Sequence, residues 1–525
     1  MTIGSPGYRP QDERVSRRWF LRRMAWVSAA AGAGGVLAGV PRQVRGRADL
    51  LGPPPRVPDA WLAGAPRQVE DPTTLTMSES MTLTRSGELD PADLVRAYVD
   101  RIEALDGVYQ AYADRPGRDA LIAELDALPA DERRSPLRGM CLVAKDNFYT
   151  SDLLTEGGSL VFENFRPDYE ATAVTRMRAA GGLIAGKGQM GNLAGGRARR
   201  YGTLIPTTRN AWSPDDERYS PGGSSSGSAT AVAARLAVAG LGTQTGGSVT
   251  GPGNAQGLTC VKPTFGRVSL YGVIPLSYTR DHVGVMARDA RDAAILLQVV
   301  AGPDPNDPRT LGLPDPPDYV RAATPFPGGR PRVRWSTRVG IWPGYFADEN
   351  ERVNELRRAF VGQLESNGGV EIVGELSLPD QWEELTAEPL GGSHGDPTAF
   401  FIEHLRRDVR NFADRLPRFL NGMLQSADTY VRVQQARNLL LDRIVSQLFG
   451  QCDVALTTAT GPFDGTGLPL MCMPIGLDDD PETGSRVPRG VVMAARPFGE
   501  ERLLDVAAAY QAVTGFHRMR PDDPA

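Results

Sequence analysis

Apolar residues recur along the chain in two alternating patterns, one with helical spacing and one as short continuous runs. Asp90 and Pro91 are typical of a helix start, and apolar residues follow at helical spacing from Leu94 to Leu105. Met140 to Ala144 is a short apolar run, which predicts a buried strand with Lys145 at its end. This alternation predicts an α/β fold, a single large domain with a central mixed β-sheet flanked by helices on both faces.

The same alternation continues to the carboxyl end of the chain. Helices are predicted at residues 171–180, 289–300, 350–366, 398–415, 427–449 and 500–515. Strands are predicted at residues 183–186, 338–342, 371–378, 453–456 and 491–495. Residues 303–331 are rich in proline and polar side chains, so we expect a long surface connection there.

A stretch rich in serine and glycine runs from Pro221 to Pro252. It contains two glycine loops with hydroxyl side chains, one on each side of the apolar run from Ala229 to Leu241. A flexible Gly/Ser linker stays polar throughout, whereas this run is apolar enough to be buried. We therefore expect a helix and a strand that bring the two loops together.

The composition excludes several classes of function. The chain has 525 residues, of which 41% are hydrophobic and 23% charged, and its net charge of −5 offers no basic surface for nucleic acid. Cys141, Cys260, Cys452 and Cys472 lie far apart in apolar runs, so we interpret them as buried thiols rather than as a disulfide or metal site. The glycines match no nucleotide-binding fingerprint, and no cofactor or metal is predicted.

The amino-terminal segment has the pattern of an export signal. Arg17 and Arg18 form a twin-arginine pair, and a weakly apolar, glycine-rich stretch follows from Met24 to Val40, too short and mild for a stable membrane span. We predict a twin-arginine signal or anchor at residues 1–48, a proline-rich linker at 49–74 and a folded domain at 75–525. The protein would then be exported by the twin-arginine translocation machinery, and would meet the membrane only through an uncleaved signal segment.

The second glycine loop has the features of an acyl-transfer site. Ser248 follows Thr245, Gly246 and Gly247, whose backbone N–H groups can point into one concavity and form an oxyanion hole. A serine nucleophile also needs a base, and none of the four histidines lies in a glycine loop. Lysine can be the base where burial lowers its pKa to roughly 7 to 8, whereas arginine stays protonated.

Lysine is rare in this chain. Only Lys145, Lys187 and Lys262 occur, although lysine and arginine together number 58. Lys145 at a strand end fits the base best, but all three lie in apolar surroundings, and each has the alternative interpretation of an ion-paired or snorkelling side chain. Ser224, Ser225 and Ser226 are candidates either for a proton relay or for caps of the following helix.

A second interpretation of the first loop is a nucleophile elbow. Gly223-x-Ser225-x-Gly227 satisfies the pattern of α/β-hydrolases and would make Ser225 the nucleophile of an esterase. An elbow follows a hydrophobic strand, whereas residues 215–221 before this motif are polar. The context therefore disfavours the elbow.

Together these motifs closely resemble the amidase signature family. The resemblance extends from about Leu75 to His517, and it is carried by Lys145, Gly222-Gly223-Ser224-Ser225, Gly246-Gly247-Ser248, Lys262-Pro263-Thr264, Asp281 and Gly467-Leu468-Pro469. It implies amide hydrolysis through an acyl-enzyme, with Ser248 as nucleophile, Ser224 as a bridging serine with a cis peptide bond, and Lys145 as base. By the same resemblance, the oxyanion hole consists of the N–H groups of Thr245, Gly246, Gly247 and Ser248.

The chain departs from the family pattern at three positions. Gln244 stands where the family usually has aspartate, Thr250 where it has arginine, and Ser226 where it has glycine. Gln244 and Thr250 motivate one alternative, an exported amidase-like binding protein without catalysis. An amidotransferase A subunit belongs to the same family, but an export signal disfavours a role in translation. The substrate stays open, and we expect its pocket walls between Pro343 and Phe449.

Overall fold

The computed structural model describes residues 62–66, 69–129, 135–196, 207–326, 330–387, 395–480 and 484–524. The predicted export segment at residues 1–48 lies outside the described residues. Pro72–Thr74 forms a short 3-10 helix in which Thr73 is buried. Residues 72–74, predicted as part of a linker, are therefore packed structure.

The described residues contain eleven strands, which form one sheet. They are β1 (Tyr112–Asp114), β2 (Cys141–Lys145), β3 (Leu183–Gly188), β4 (Ala239–Gln244), β5 (Thr259–Lys262), β6 (His282–Ala287), β7 (Arg332–Ile341), β8 (Gly368–Glu375), β9 (Val454–Thr457), β10 (Leu470–Asp479) and β11 (Arg486–Ala495). Their order across the sheet is β1-β3-β2-β4-β6-β5-β10-β11-β9-β7-β8. Strand β2 is parallel to both its neighbours, as is β7, and the other neighbouring strands are antiparallel. The predicted single domain with a mixed sheet is confirmed.

The described residues also form helices, some of which pack against this sheet. They are α1 (Met77–Ser86), α2 (Pro91–Tyr109), α3 (Arg118–Ala127), α4 (Thr172–Ala179), α5 (Ser226–Ala233), α6 (Thr250–Ala255), α7 (Ala290–Val300), α8 (Tyr319–Ala322), α9 (Glu351–Ser366), α10 (Trp382–Thr386), α11 (Gly395–Arg407), α12 (Leu416–Leu424), α13 (Ala427–Arg443), α14 (Phe449–Gln451), α15 (Gly461–Gly465) and α16 (Glu500–Gln511). Within the described ranges, none of them combines the length and apolar character needed to cross a bilayer.

The first predicted helix illustrates how local signals start an element. The Asp90 side chain accepts the N–H of Ala92 at 2.8 Å, and Pro91 occupies the first turn of α2. The apolar residues at helical spacing, from Leu94 to Ile102, are buried in the core. This amphipathic helix is as predicted, because capping and apolar spacing agree.

Two predictions in the second half are wrong in part. The helix predicted at 398–415 breaks at Asp408, whose backbone is extended (φ −160°, ψ 106°) and whose side chain caps a 3-10 helix at Val409–Arg415. The connection predicted at 303–331 contains Pro308–Thr310 and α8, and Tyr319 in α8 is fully buried. A buried aromatic side chain makes this segment part of the core rather than a surface connection.

The apolar run of the serine-rich stretch divides into two elements, as expected. Helix α5 ends before Arg235, a residue in the left-handed region with φ 61°, and β4 begins at Ala239. A left-handed residue cannot continue a right-handed helix, so the chain turns there and enters the sheet next to β2. The second glycine loop then follows directly from the end of β4.

All four cysteines are free and buried, as expected. Two of them are nevertheless neighbours, because Cys472 of β10 lies opposite Cys260 of β5 in the sheet register. Their separation in sequence gives no indication of this contact.

Candidate active site

The candidate site lies where two neighbouring strands end. Strands β2 and β4 are parallel, with Ala144 opposite Leu241 in the register. The ends of parallel strands meet at the same edge of a sheet, which is a common place for a ligand site. Lys145 closes β2 at this edge, and Thr243 and Gln244 close β4. The sheet thus sets Lys145 beside the glycine loop that carries Ser248.

Lys145 is fully buried and is surrounded by neutral oxygens. Its Nζ donates to Ser224 Oγ at 2.8 Å, to Thr243 Oγ1 at 2.8 Å and to the Thr243 carbonyl at 3.2 Å. Among the described residues, no carboxylate forms an ion pair with it. Burial lowers the pKa of Lys145 to about 7, because the ammonium form loses its hydration, and Asp281 opposes this shift in part. Near neutral pH a large fraction of this amine is therefore unprotonated.

The other two lysines are ion-paired. Lys187 Nζ lies 3.6 Å from Asp146 Oδ1, and Lys262 Nζ lies 3.7 Å from Asp464 Oδ1. Both are fully buried, and burial lowers the pKa of each to about 8 against the opposing effect of its aspartate. The ion-paired interpretation left open by the sequence therefore fits these two residues, while Lys145 is the lysine bonded to the first glycine loop.

The two glycine loops meet beside Lys145. The Ser225 N–H donates to the Ser248 carbonyl at 3.3 Å, and the peptide bond between Gly223 and Ser224 is cis. Ser224 is buried, and its hydroxyl lies within hydrogen-bond distance of the Lys145 amine. Ser248 is 9% exposed and precedes α6. The chain thus brings the Lys145 amine, the Ser224 hydroxyl and the Ser248 loop into one cluster.

The remaining serines of the first loop do not cap α5 through their side chains. Ser225 occupies the N-cap position, but its side chain makes no capping hydrogen bond. Its hydroxyl donates to the Thr243 carbonyl at 3.4 Å, and those of Ser226 and Ser228 donate to the carbonyls of Gly222 and Leu241. These hydroxyls fix the shape of the loop, and the capping interpretation is wrong for Ser225.

The elbow interpretation has no support in the local geometry. Ser225 is fully buried, and residues 207–225, which the structure describes, contain no strand leading into the motif. A nucleophile elbow requires an exposed serine on a sharp turn between a strand and a helix. Ser225 therefore does not occupy the position of an elbow nucleophile.

The predicted oxyanion donors are not equivalent. The Gly247 N–H donates to Asp464 Oδ2 at 2.9 Å, so this donor already has a partner inside the protein. The Thr245 side chain donates to Asp281, and the Thr245 carbonyl accepts from Arg280 at 3.1 Å. A cavity of about 300 Å³ adjoins the loop, lined by Gly246, Arg280, Thr386, Arg437, Leu440, Gly461, Pro462, Asp464 and Gly465. Two arginine side chains thus line the space next to Gly246.

Asp464 and Thr243 are site residues that the sequence patterns do not single out. The available signal for Thr243 is its position near the end of a strand that is parallel to β2. Asp464 lies 217 residues from its partner Gly247 in the sequence, and no local pattern connects the two. In the described part of the chain, no group of three or more acidic, histidine or cysteine side chains could hold a metal ion.

The comparisons with known proteins agree with this geometry. A family model described as Amidase matches residues 93–462. The chain belongs to the amidase family. This amidase-family protein is 34% identical over 499 residues to the A subunit of glutamyl-tRNA(Gln) amidotransferase from Roseiflexus sp. (strain RS-1), covering 86% of this chain and 98% of that protein. It is 32% identical over 501 residues to the putative amidase AmiD of Mycobacterium tuberculosis (strain ATCC 25618 / H37Rv), covering 88% of this chain and 99% of that one.

Solved structures of amidases have the same fold. The native peptide amidase from Stenotrophomonas maltophilia is 28% identical to this amidase-family protein and matches it with a TM-score of 0.73, covering 86% of this chain and 99% of that one. The 6-aminohexanoate cyclic dimer hydrolase, at 20% identity and a TM-score of 0.72, matches in fold alone. Family and fold together identify an amide-hydrolysing enzyme.

Proposed function

We propose that the protein hydrolyses a small-molecule carboxylic amide through an acyl-enzyme on Ser248, with Lys145 as base and Ser224 as proton relay. The observation that carries the proposal is the buried Lys145 amine, which lies 2.8 Å from Ser224 Oγ and whose pKa burial lowers to about 7. A base that is partly unprotonated at neutral pH, in contact with a hydroxyl of the neighbouring loop, is what a serine nucleophile requires.

The chemistry balances without a cofactor. The Lys145 amine takes the proton of Ser224 while Ser224 Oγ takes that of Ser248, and Ser248 Oγ attacks the amide carbon. The backbone N–H groups of Thr245, Gly246 and Ser248 stabilise the oxyanion, while that of Gly247 stays bonded to Asp464. The intermediate collapses when the C–N bond breaks, and the proton returns through Ser224 to the leaving amine. Water then hydrolyses the ester by the same route and releases the acid.

The test is turnover of an amide panel by purified protein, together with labelling by a fluorophosphonate probe. We expect hydrolysis of at least one amide and a label on Ser248, both lost in Ser248→Ala. Ser225→Ala is the matched control, because Ser225 lies in the facing loop and an elbow esterase would lose its label there instead. Protein that hydrolyses no amide or ester and leaves Ser248 unlabelled would exclude the proposal and favour a binding protein.

The amidotransferase relatives define a second arm of the panel. Those proteins are subunits by name, and the A subunit of an amidotransferase would need protein partners. Glutamine therefore belongs in the panel beside aryl, fatty acyl, cyclic and C-terminal peptide amides. Turnover of these amides by the protein alone supports the free amidase, whereas activity on glutamine only after adding a partner would support the amidotransferase.

We also propose that residues 1–48 direct export by the twin-arginine route, on the basis of the Arg17-Arg18 pair and the mild apolar stretch that follows. A reporter that is active only outside the cytoplasm, fused after residue 48, should be exported. Replacing both arginines by lysine should abolish export, and export that survives this change would contradict the proposal. Amino-terminal sequencing of the exported fusion distinguishes a cleaved signal from an anchor.

A further inference from the structure

The Gln244 side chain, at the end of β4, accepts hydrogen bonds from backbone N–H groups that follow Ser248 in the chain. It is fully buried, and its Oε1 accepts the N–H of Val249 at 2.8 Å and the N–H of Thr250 at 2.9 Å. The Thr250 hydroxyl also donates to this oxygen at 3.3 Å. The amide oxygen of Gln244 thus holds the first turn of α6, directly after the nucleophile.

Asp464 accepts a hydrogen bond from the backbone of the loop just before Ser248. Its Oδ2 accepts the Gly247 N–H at 2.9 Å, and its Oδ1 accepts Gln244 Nε2 at 2.7 Å. The carboxylate is 1% exposed and lies 3.7 Å from the buried Lys262 amine. A buried carboxylate needs donors and a cation to offset its lost hydration, and this one has all of them.

The hydrogen-bond partners of Gln244 and Asp464 determine which side chain must donate and which must accept. The N–H groups of Val249 and Thr250 require an acceptor at position 244, while the Asp464 carboxylate requires a donor from the same side chain. A glutamine amide meets both requirements, because its oxygen only accepts and its nitrogen only donates. Glutamate would set two carboxylates against each other, an arrangement that needs one of them to take up a proton.

We infer that Asp464 is a positioning residue of the catalytic loop, and that the Gln244–Asp464 pair holds the backbone on both sides of Ser248. Asp464 thus supplies the carboxylate that the family pattern usually places at position 244. The departure at Gln244 is therefore compensated within the site rather than a sign of lost catalysis. This inference rests on the proposed role of Ser248 as nucleophile.

A reciprocal exchange tests the pair. In Gln244→Glu two carboxylates face each other, and in Asp464→Asn two amide groups face each other while the charge is lost. In the double variant, the new carboxylate at position 244 accepts from Val249, Thr250 and the amide nitrogen introduced at position 464, whose amide oxygen accepts from Gly247. The exchange restores the hydrogen bonds within the pair and to the Ser248 loop and keeps the total charge, although the group beside Lys262 becomes an amide. The double variant should therefore recover the kcat that each single variant loses.

We expect each single variant to lower kcat by about tenfold or more with KM changed less than about threefold, and the double variant to return to within about threefold of wild type. The rate of fluorophosphonate labelling of Ser248 should follow the same order. Gln256→Glu is the matched control, because Gln256 is equally buried, accepts the Ala211 N–H and donates to Thr230. It should lower the melting temperature without changing kcat per labelled site.

The outcomes separate the two proposals. If the wild-type enzyme turns over amides while both single variants keep its kcat, or while the double variant recovers neither kcat nor labelling, the pair does not position the loop. Single variants that fail to fold leave the decision to the double variant, whose folding and kcat must both return. A wild-type protein that neither turns over amides nor labels at Ser248 contradicts the proposed function instead, whatever the melting temperatures of the pair.

Discussion

Lys145 and Lys187 lie at the carboxyl ends of adjacent parallel strands and differ in their surroundings. In the register of β2 and β3, Lys145 is opposite Gly188 and Lys187 is opposite Ala144, so the two side chains point to opposite faces of the sheet. On one face, Lys145 contacts the hydroxyls of Ser224 and Thr243. On the other, Lys187 contacts Asp146 and the Thr155 hydroxyl.

Burial alone does not make a lysine into a base. Both side chains are fully buried, and burial lowers the pKa of Lys145 to about 7 and that of Lys187 to about 8. The carboxylate beside Lys187 favours the ammonium form and satisfies it as an ion pair. Lys145 is in contact with neutral oxygens, one of which belongs to the facing glycine loop. The charge of the contacting oxygens therefore distinguishes the candidate base from a structural lysine.

Removing the Lys145 amine should have the largest effect. Lys145→Met should lower kcat/KM by about a thousandfold or more, because the proposed base is lost. Lys145→Arg should be comparably inactive, since a guanidinium keeps its proton. Initial rates on the best amide, with folding checked by circular dichroism, measure this. Activity of Lys145→Arg within tenfold of wild type would mean that the site uses the positive charge and not a base.

The pH profile comes next in size. With a pKa of about 7 for Lys145, kcat/KM should rise about tenfold per pH unit below that value and level off above it. Between pH 7 and the ordinary lysine pKa of 10.5, the unfolded Lys145 side chain binds more protons than the folded one. Its contribution to the free energy of unfolding therefore rises with pH in that window and falls as the pH drops from 10.5 toward 7. An acid limb near pH 4 would instead indicate a carboxylate base.

Thr243 gives a smaller test of the hydroxyl environment. Its Oγ1 accepts from Lys145 and, at 3.0 Å, from Asn147. Thr243→Val leaves both donors without this acceptor and should lower kcat by about tenfold. Thr243→Ser keeps the hydroxyl and serves as the control, so it should stay within about threefold of wild type. Equal losses in the two variants would assign the effect to packing of the methyl group.

Lys187 should affect stability and hardly affect catalysis. Lys187→Met leaves Asp146 buried without its cation, which should lower the free energy of unfolding by about 3–5 kcal/mol. Asp146→Asn in the same chain should recover part of this loss. Urea denaturation measures the stability, and kcat per fluorophosphonate-labelled site should stay within about threefold of wild type. A loss of kcat as large as that of Lys145→Met would remove the distinction between the two lysines.

Much of the architecture could be predicted because local signals agree with the fold. At α2, a cap at Asp90, a proline in the first turn and apolar residues at helical spacing all indicate the same element. The buried strand ending at Lys145 is recognisable as an uninterrupted apolar run. Elements with such consistent signals are the ones that sequence patterns identify reliably.

The features that the sequence did not predict have physical causes that no local pattern reveals. The break at Asp408 depends on a side chain that satisfies the backbone of a following 3-10 turn, although apolar residues continue at helical spacing through it. Strand β10 is not among the predicted strands, and its polar end at Asp478 and Asp479 belongs to the sheet because it pairs with β11. The contact of Asp464 with the Ser248 loop forms only when distant parts of the chain pack together.

The complete burial of the three lysines has a practical consequence for chemical labelling. No lysine side chain of the native protein is exposed, because the chain has only three lysines and all of them are fully buried. Acylating reagents that seek amines should therefore modify these side chains only when the surrounding core opens. The rate of lysine acylation, followed residue by residue in a mass spectrometer, then reports the opening of β2, β3 and β5 separately.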